Sequence, residues 1–260
     1  MKRLGQTIAL ASLAFLYLPM LAVAVFSVNK TRYGLTWGGF TWSWYQKMFQ
    51  NEDILRAFQN TIVLAVISTL VATLLGTIFA LAMERYPWGK RARGFLENLL
   101  YLPVVTPDII LAAALVIAFS LLRMVSSLFE LGLFSMIIGH VTFQIAFVTL
   151  VVQSRLKGLG RDLDEAARDL YASSWYLLRK VQIPLLMPGI VAGAMLAFTL
   201  SLDDFVISFF TAGPNSQTLP LVIYGSVRRG VTPEIHALST IVFLATILLV
   251  LGSERLTRRG

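Results

Sequence analysis

A chain of 260 residues that is 57% hydrophobic and only 14% charged is not a soluble domain, since those run near 45–50% apolar and roughly 25% charged. Its net charge of +8 does not mark a nucleic-acid binder, because the basic residues stand scattered at the ends of apolar segments rather than together on one face. Cysteine is absent, which excludes disulfides and thiolate metal sites, and the two histidines, His140 and His236, are too few for a His-based metal cluster. Each histidine reads as a packed or hydrogen-bonded helix residue.

A helix needs about 20 mainly apolar residues to cross the hydrocarbon. Six segments qualify in chain order: 8–28, 60–83, 96–122, 133–152, 185–210 and 236–251. The first follows Lys2 and Arg3. It is longer than a signal-peptide core and lacks a small-x-small cleavage site, so it reads as a retained span. The loop after it carries Trp37, Trp42, Trp44, Tyr45 and Phe49, residues that settle at headgroup level. Residues 44–58 are expected as a short helix lying in the interface, either as a membrane-resting lid or with a ligand role. The third span contains Pro103 and Pro107.

Basic residues orient these spans. With the N-terminus inside, 15 of the 22 Lys and Arg fall on the cytoplasmic side and 7 on the other. The expectation is an all-α membrane protein with six transmembrane helices and both termini in the cytoplasm. Its parts are a first span with an outer loop (1–56), a membrane core (57–252) and a short tail (253–260).

Asp108, Asp203 and Asp204 lie within or beside apolar spans. A carboxylate at a helix centre costs about 2.5–3.5 kcal/mol on insertion scales, so such residues face a polar cavity or a partner. Asp108 follows Pro107, and Pro103 and Pro107 loosen the helix and free backbone carbonyls there. A broken helix beside an acid suits the wall of a water-filled path. Asp203 and Asp204 point about 100° apart on a helix, so only one aims fully at an axis while the other caps or pairs at an interface. The alternative for all three is a bond to a helix end or to an arginine of a partner chain. Gly189, Gly193, Ala197 and Ser201 recur every four residues. That stripe admits a second helix closely, within the chain or across a subunit interface. No P-loop, His-Glu-x-x-His or Gly-x-Ser-x-Gly pattern occurs, which argues against an ATPase, a zinc hydrolase or a serine hydrolase.

Between the fourth and fifth spans runs a polar hairpin, 155–184, in which Leu163, Ala167, Leu170, Leu177 and Val181 keep helical spacing. A surface helix or two short ones is expected. Asp162 or Asp164 can cap the first, Glu165 falls in its first turn, and Ser173 or Ser174 can cap the second. Ala166 and Ala167 leave one face thin.

Glu165, Ala166 and Ala167, followed by Ile183 and Pro184, resemble the EAA loop of ABC-importer permease subunits. The pattern's glycine position holds Tyr171. Residues 197–208, 218–221 and 230–240, with 154–158, Asn29 and 32–34, are similar to the spermidine/putrescine branch of that family. The resemblance implies a type I importer fold in the bacterial inner membrane. It also implies a second permease subunit, two ATPase subunits that bind ATP and magnesium, a periplasmic binding protein and a polyamine substrate, and no cofactor in this chain. Glu165, Ala166, Ala167, Asp169 and Tyr171 would contact the ATPase, and Asp108, Asp203 and Asp204 would suit a cationic cargo. At Tyr171 either a left-handed turn is forced on a non-glycine residue, at about 1–2 kcal/mol, or the chain turns at Ala172 and Ser173. The alternatives are a permease for another small solute or cation, or a stand-alone channel or secondary transporter. Many of the latter show internal repeats, which are not evident here.

Overall fold

Helices make up nearly all of the computed structural model, which describes residues 2–31, 36–160 and 162–257, with side chains described except at 2–4, 163 and 248–257. Arg32, Tyr33, Gly34, Arg161, Arg258 and Arg259, used above, lie outside the described residues. No strand forms among those described; the one extended pairing is an isolated bridge between Asn29 and Phe40. Among the described residues four helices are long and apolar enough to cross a membrane, or five spans if one bent pair counts as a single crossing.

The chain divides into two units. One comprises 1–56 and 222–260. It holds α1 (Lys2–Phe26), the short α2 (Ser43–Gln50) and α12 (Pro233–Thr257). The apolar window of α1 is unburied within the chain, as suits a helix facing lipid or a partner. The loop before α2 is built on Asn29, whose Oδ1 accepts from Thr31 Oγ1 (2.9 Å) and Gly38 N (2.9 Å) and whose Nδ2 donates to Thr36 O (2.9 Å). Trp44 Nε1 donates to Asn29 O at 2.8 Å, which seats α2 on this loop. The interfacial helix expected over 44–58 is shorter. It stops at Asn51, whose Oδ1 accepts the N–H groups of Asp53 (3.1 Å) and Ile54 (3.3 Å) and so starts a new helix, α3 (Glu52–Arg85).

The second unit comprises 57–221. It holds most of α3 and then α4 (Lys90–Val105), α5 (Asp108–Leu122), α6 (Leu133–Gly158), α7 (Asp162–Asp169), the single turn α8 (Ser174–Tyr176), α9 (Ile183–Asp203) and α10 (Val206–Thr211). A last helix, α11 (Leu219–Arg229), spans the boundary between the units. The third expected span is α4 and α5, bent by 108° at Thr106 and Pro107. Pro107 cannot continue α4, and its carbonyl accepts the first bond of α5, from Ile110 N.

The fifth expected span, 185–210, differs at both ends. Its helical run begins earlier, at Ser174, and stops at Asp203. Residues Leu177–Gln182 are wound as a π-helix, just before Pro184 removes a backbone donor. At Asp204 and Phe205 the chain leaves the helix before α10 starts.

The small-residue stripe of α9 packs within the chain. A Cβ at Gly189 would lie 2.7 Å from Arg155 Cβ, and one at Gly193 would lie 3.3 Å from Val148 Cγ1, so α9 sits directly on α6. Gly76 does the same for α3, where a Cβ would meet Val148 Cβ at 2.8 Å. The core between these helices is Ala80, Val148, Val152, Leu156, Leu186 and Ala197.

Candidate functional site

The polar hairpin folds as α7, a tight turn, and the turn α8 that leads into α9. Glu165, Ala166 and Asp169 are exposed and Ala167 is half-buried. Leu170 and Tyr171 are 82% and 97% exposed, and Trp175 and Tyr176 are also exposed, so an otherwise polar hairpin presents bare apolar groups. Ser173 caps α8 by accepting from Tyr176 N at 3.3 Å, one of the two serines expected in that role.

The turn at Tyr171 is left-handed, with φ of 59°. Ala172 N–H reaches back to Ala167 O (3.0 Å) and Tyr171 N–H to Arg168 O (2.9 Å), the Schellman closure in which glycine normally holds the left-handed position. The helix therefore ends in a turn of the kind glycine favours, with the strain placed on a tyrosine. Tyr171→Gly is expected to stabilise the hairpin by about 1 kcal/mol. Limited proteolysis of the purified protein checks this: cleavage within 165–176 should slow several-fold, and unchanged or faster cleavage contradicts it.

Asp164 does not cap α7. Its Oδ2 lies 2.9 Å from Arg85 Nη1 at the end of α3, and both oxygens accept from Gln182 Nε2, at 3.1 and 3.2 Å. Arg85 Nη2 also donates to Gly160 O at 3.2 Å. Gly160, at φ of 67°, turns the chain from α6 into α7. The side chains of Arg85 and Asp164 are 20% and 13% exposed, so water screens the pair weakly. Nearby, Glu84 faces Lys157 (3.5 Å) and Arg93 (3.7 Å).

The membrane acids separate into two kinds. Asp108 is exposed in the first turn of α5, where the helix dipole favours a negative charge. Asp203 is exposed at the last turn of α9. Asp204, grouped with them from sequence, is turned inward. Its Oδ2 accepts from Ser208 N (2.7 Å), its Oδ1 from Ile207 N (3.3 Å), and its Oδ2 lies 3.2 Å from His140 Nε2. It thus starts α10 and pairs with α6. Capping or pairing was the alternative left open for one aspartate of the pair.

His140 is fully buried. Its Nδ1 lies 2.8 Å from Ser201 Oγ and its Nε2 3.1 Å from Ser208 Oγ, and Ser201 Oγ is 3.3 Å from Ser68 Oγ on α3. A carboxylate oxygen accepts, so the Asp204 contact is met by a donor on His140 Nε2. This network ties α3, α6, α9 and α10 at the break. Around it Ala112 of α5, Phe143 of α6 and Ile207 of α10 form a second apolar cluster, so α5, which begins at Asp108, is packed into the same helix group.

His140 is the packed, hydrogen-bonded helix residue expected from sequence, though its partners were not foreseen, and Arg85 and Gln182 were missed. The one local signal was Asp204 set before an apolar run, the mark of a helix start. Arg85 carried no signal beyond its topogenic charge. No cluster of three or more His, Cys, Asp or Glu able to hold a metal occurs among the described residues.

Residues 72–259 match the family described as binding-protein-dependent transport system inner membrane component. The chain belongs to this family. It is 41% identical over 245 residues to the spermidine/putrescine transport system permease protein PotC of Escherichia coli (strain K12), covering 94% of this chain and 90% of that one. To the putrescine transport system permease protein PotI of the same organism it is 36% identical over 236 residues, or 90% and 84% of the two chains. Its fold is similar to that in the crystal structure of a bacterial ABC transporter involved in the import of the acidic polysaccharide alginate. There the TM-score is 0.79 at 18% identity, with 99% of this chain and 94% of that one aligned.

Proposed function

We propose that the chain is the permease subunit of an ATP-driven importer of polyamines and forms half of the translocation path. The observation that carries this reading is the likeness to PotC along 94% of the chain. In it the chain crosses the inner membrane six times with both termini in the cytoplasm, an orientation supported by the 15-to-7 division of basic residues. A second permease subunit completes the path, two ATPase subunits bind ATP and magnesium, and a periplasmic binding protein delivers the cargo.

The exposed face of the hairpin, with Glu165, Ala166 and Asp169 on α7 and Leu170 and Tyr171 in the turn, seats in the ATPase, with Ala167 at its edge. Asp108 and Asp203 offer exposed carboxylates to the ammonium groups of the cargo. Asp204 serves the path indirectly, by holding the break between α9 and α10. Exposed carboxylates attract a polyamine without holding it tightly, which suits release.

The test is reconstitution of this chain with its second permease, ATPase and binding protein in proteoliposomes, with radiolabelled spermidine outside and ATP within. ATP-dependent uptake is expected. Asp203→Asn should lower it about fivefold, the loss of roughly 1 kcal/mol of charge attraction. Absence of spermidine uptake by the wild-type complex overturns the substrate, and wild-type uptake by Asp203→Asn removes that acid from the path.

A further inference from the structure

The contacts that hold α7 converge on one side chain. Asp164 engages both the end of α3, through Arg85, and the π-wound segment before α9, through Gln182. Arg85 grips Gly160 with its other Nη, so one guanidinium fixes both the first turn of α7 and the linker leading into it. Glu165 and Asp169, about 100° and 140° around α7 from Asp164, are outside this assembly and exposed. A displacement applied to that exposed face therefore reaches α3 and α9 through Asp164.

The receiving segment is suited to respond. Leu177–Gln182 is wound with the wider π repeat and runs straight into Ile183 and Pro184. π-turns inside α-helices are rare and are found frequently at functional sites. Gln182 stands in the last position of that segment, so the clamp holds the register where it changes. The far end of α9 carries Asp203 and, through Ser201, meets the buried His140. One continuous helix, with Pro188 inside it, thus joins the clamp to the exposed acid.

We propose that Asp164 is a positioning residue for energy coupling: with Arg85 and Gln182 it locks α7 to α3 and to the π register of α9, so that movement of α7 is delivered to the membrane path. This rests on the reading of α7 as the ATPase-contacting helix. The geometry that carries it is the three-way junction of Arg85, Asp164 and Gln182, in which the ion pair is 20% and 13% exposed while the neighbouring Glu165 and Asp169 are open to solvent.

The test uses the complete importer and two readouts. Uptake per ATP hydrolysed is measured for wild type, for Asp164→Ala and for the exchanged pair Arg85→Asp with Asp164→Arg. Hydrogen–deuterium exchange is followed in 177–186 of the same complexes without nucleotide. Asp164→Ala is expected to co-purify with the ATPase at wild-type stoichiometry, to lose about 5- to 30-fold in uptake per ATP, the range of ordinary coupling energies, and to exchange faster in 177–186. The exchanged pair should recover at least half of both losses. Unchanged exchange in 177–186 overturns the proposal whatever the cargo is. So does loss of the ATPase from Asp164→Ala and from the exchanged pair alike, which would make the junction a folding element only. Failure of the importer reading shows instead in the wild-type complex, as absent uptake with the exchange difference intact.

Discussion

Replacing His140 by leucine is expected to remove most of the folded protein from the membrane. The imidazole is fully buried and faces Ser201, Ser208 and Asp204. Leucine matches its bulk but leaves the Asp204 carboxylate without its side-chain partner and leaves two buried hydroxyls to find new ones. Stranding a buried acceptor costs about 1–3 kcal/mol, more when it carries charge, and three groups lose a partner here, against a total stability of roughly 5–15 kcal/mol for an ordinary domain. The two backbone N–H groups that Asp204 accepts from α10 hold part of its charge, so its share of the loss should fall at the lower end of the range for one group. His140→Gln keeps a donor and an acceptor at the two ends of the site and is expected to recover about half of the total loss. The measurements are membrane abundance and the thermal midpoint in detergent. A double-mutant cycle with Asp204→Asn should show a coupling of at least about 1 kcal/mol, as direct partners do. If His140→Leu matches wild type in both measurements, the network is not what holds the α9–α10 break.

The spans and the hairpin were legible because each rests on a local signal. Apolar runs of membrane length placed α1, α3, α6 and the body of α9. The sequence around Glu165 placed α7 and left two ways to turn after it, a left-handed Tyr171 or a turn at Ala172 and Ser173; the structure takes the first, with φ of 59°. What stayed hidden was pairing between distant residues. Arg85 and Asp164 belong to different helices far apart in the chain, and each looked sufficient alone: one as a topogenic charge, the other as a helix cap. His140 met its partners only once α6, α9 and α10 were packed. The break at Asp204 was hidden for a related reason. The residues around it, Leu202, Phe205, Val206 and Ile207, are apolar enough to continue a span, and only the side-chain cap to Ile207 and Ser208 divides them. Hydropathy measures the medium a segment faces, whereas helix ends are fixed by individual hydrogen bonds.

Gly213→Ala is expected to be as damaging as the loss of His140, for a steric reason. Gly213 follows α10 in a loop with a fixed set of bonds. Its N–H donates to Ser216 Oγ (2.7 Å), Gly132 N donates to Thr211 O (3.1 Å), and Ser135 Oγ donates to the same carbonyl (3.0 Å). Further along, Asn60 Nδ2 donates to Asn215 O (3.1 Å) and Gln217 O (3.0 Å), and Leu219 N donates to Thr61 Oγ1 (2.9 Å). The loop is thus pinned to the start of α6 on one side and to α3 on the other. A Cβ at Gly213 would collide with the carbonyl oxygen of Leu131 and sit 3.2 Å from Gly132 Cα. Both obstacles are backbone, so no rotamer change clears them, and relief requires breaking the Gly132–Thr211 and Ser135–Thr211 bonds. Overpacking of this kind costs about 1–3 kcal/mol, and each bond lost adds roughly 1 kcal/mol. The expected result is a drop of several degrees in the thermal midpoint and faster proteolysis within 212–218. Because the obstacle is the Leu131 carbonyl and not its side chain, adding Leu131→Ala should restore nothing. Recovery in that double variant would show that the loop is held by side-chain packing rather than by its backbone junction with α6.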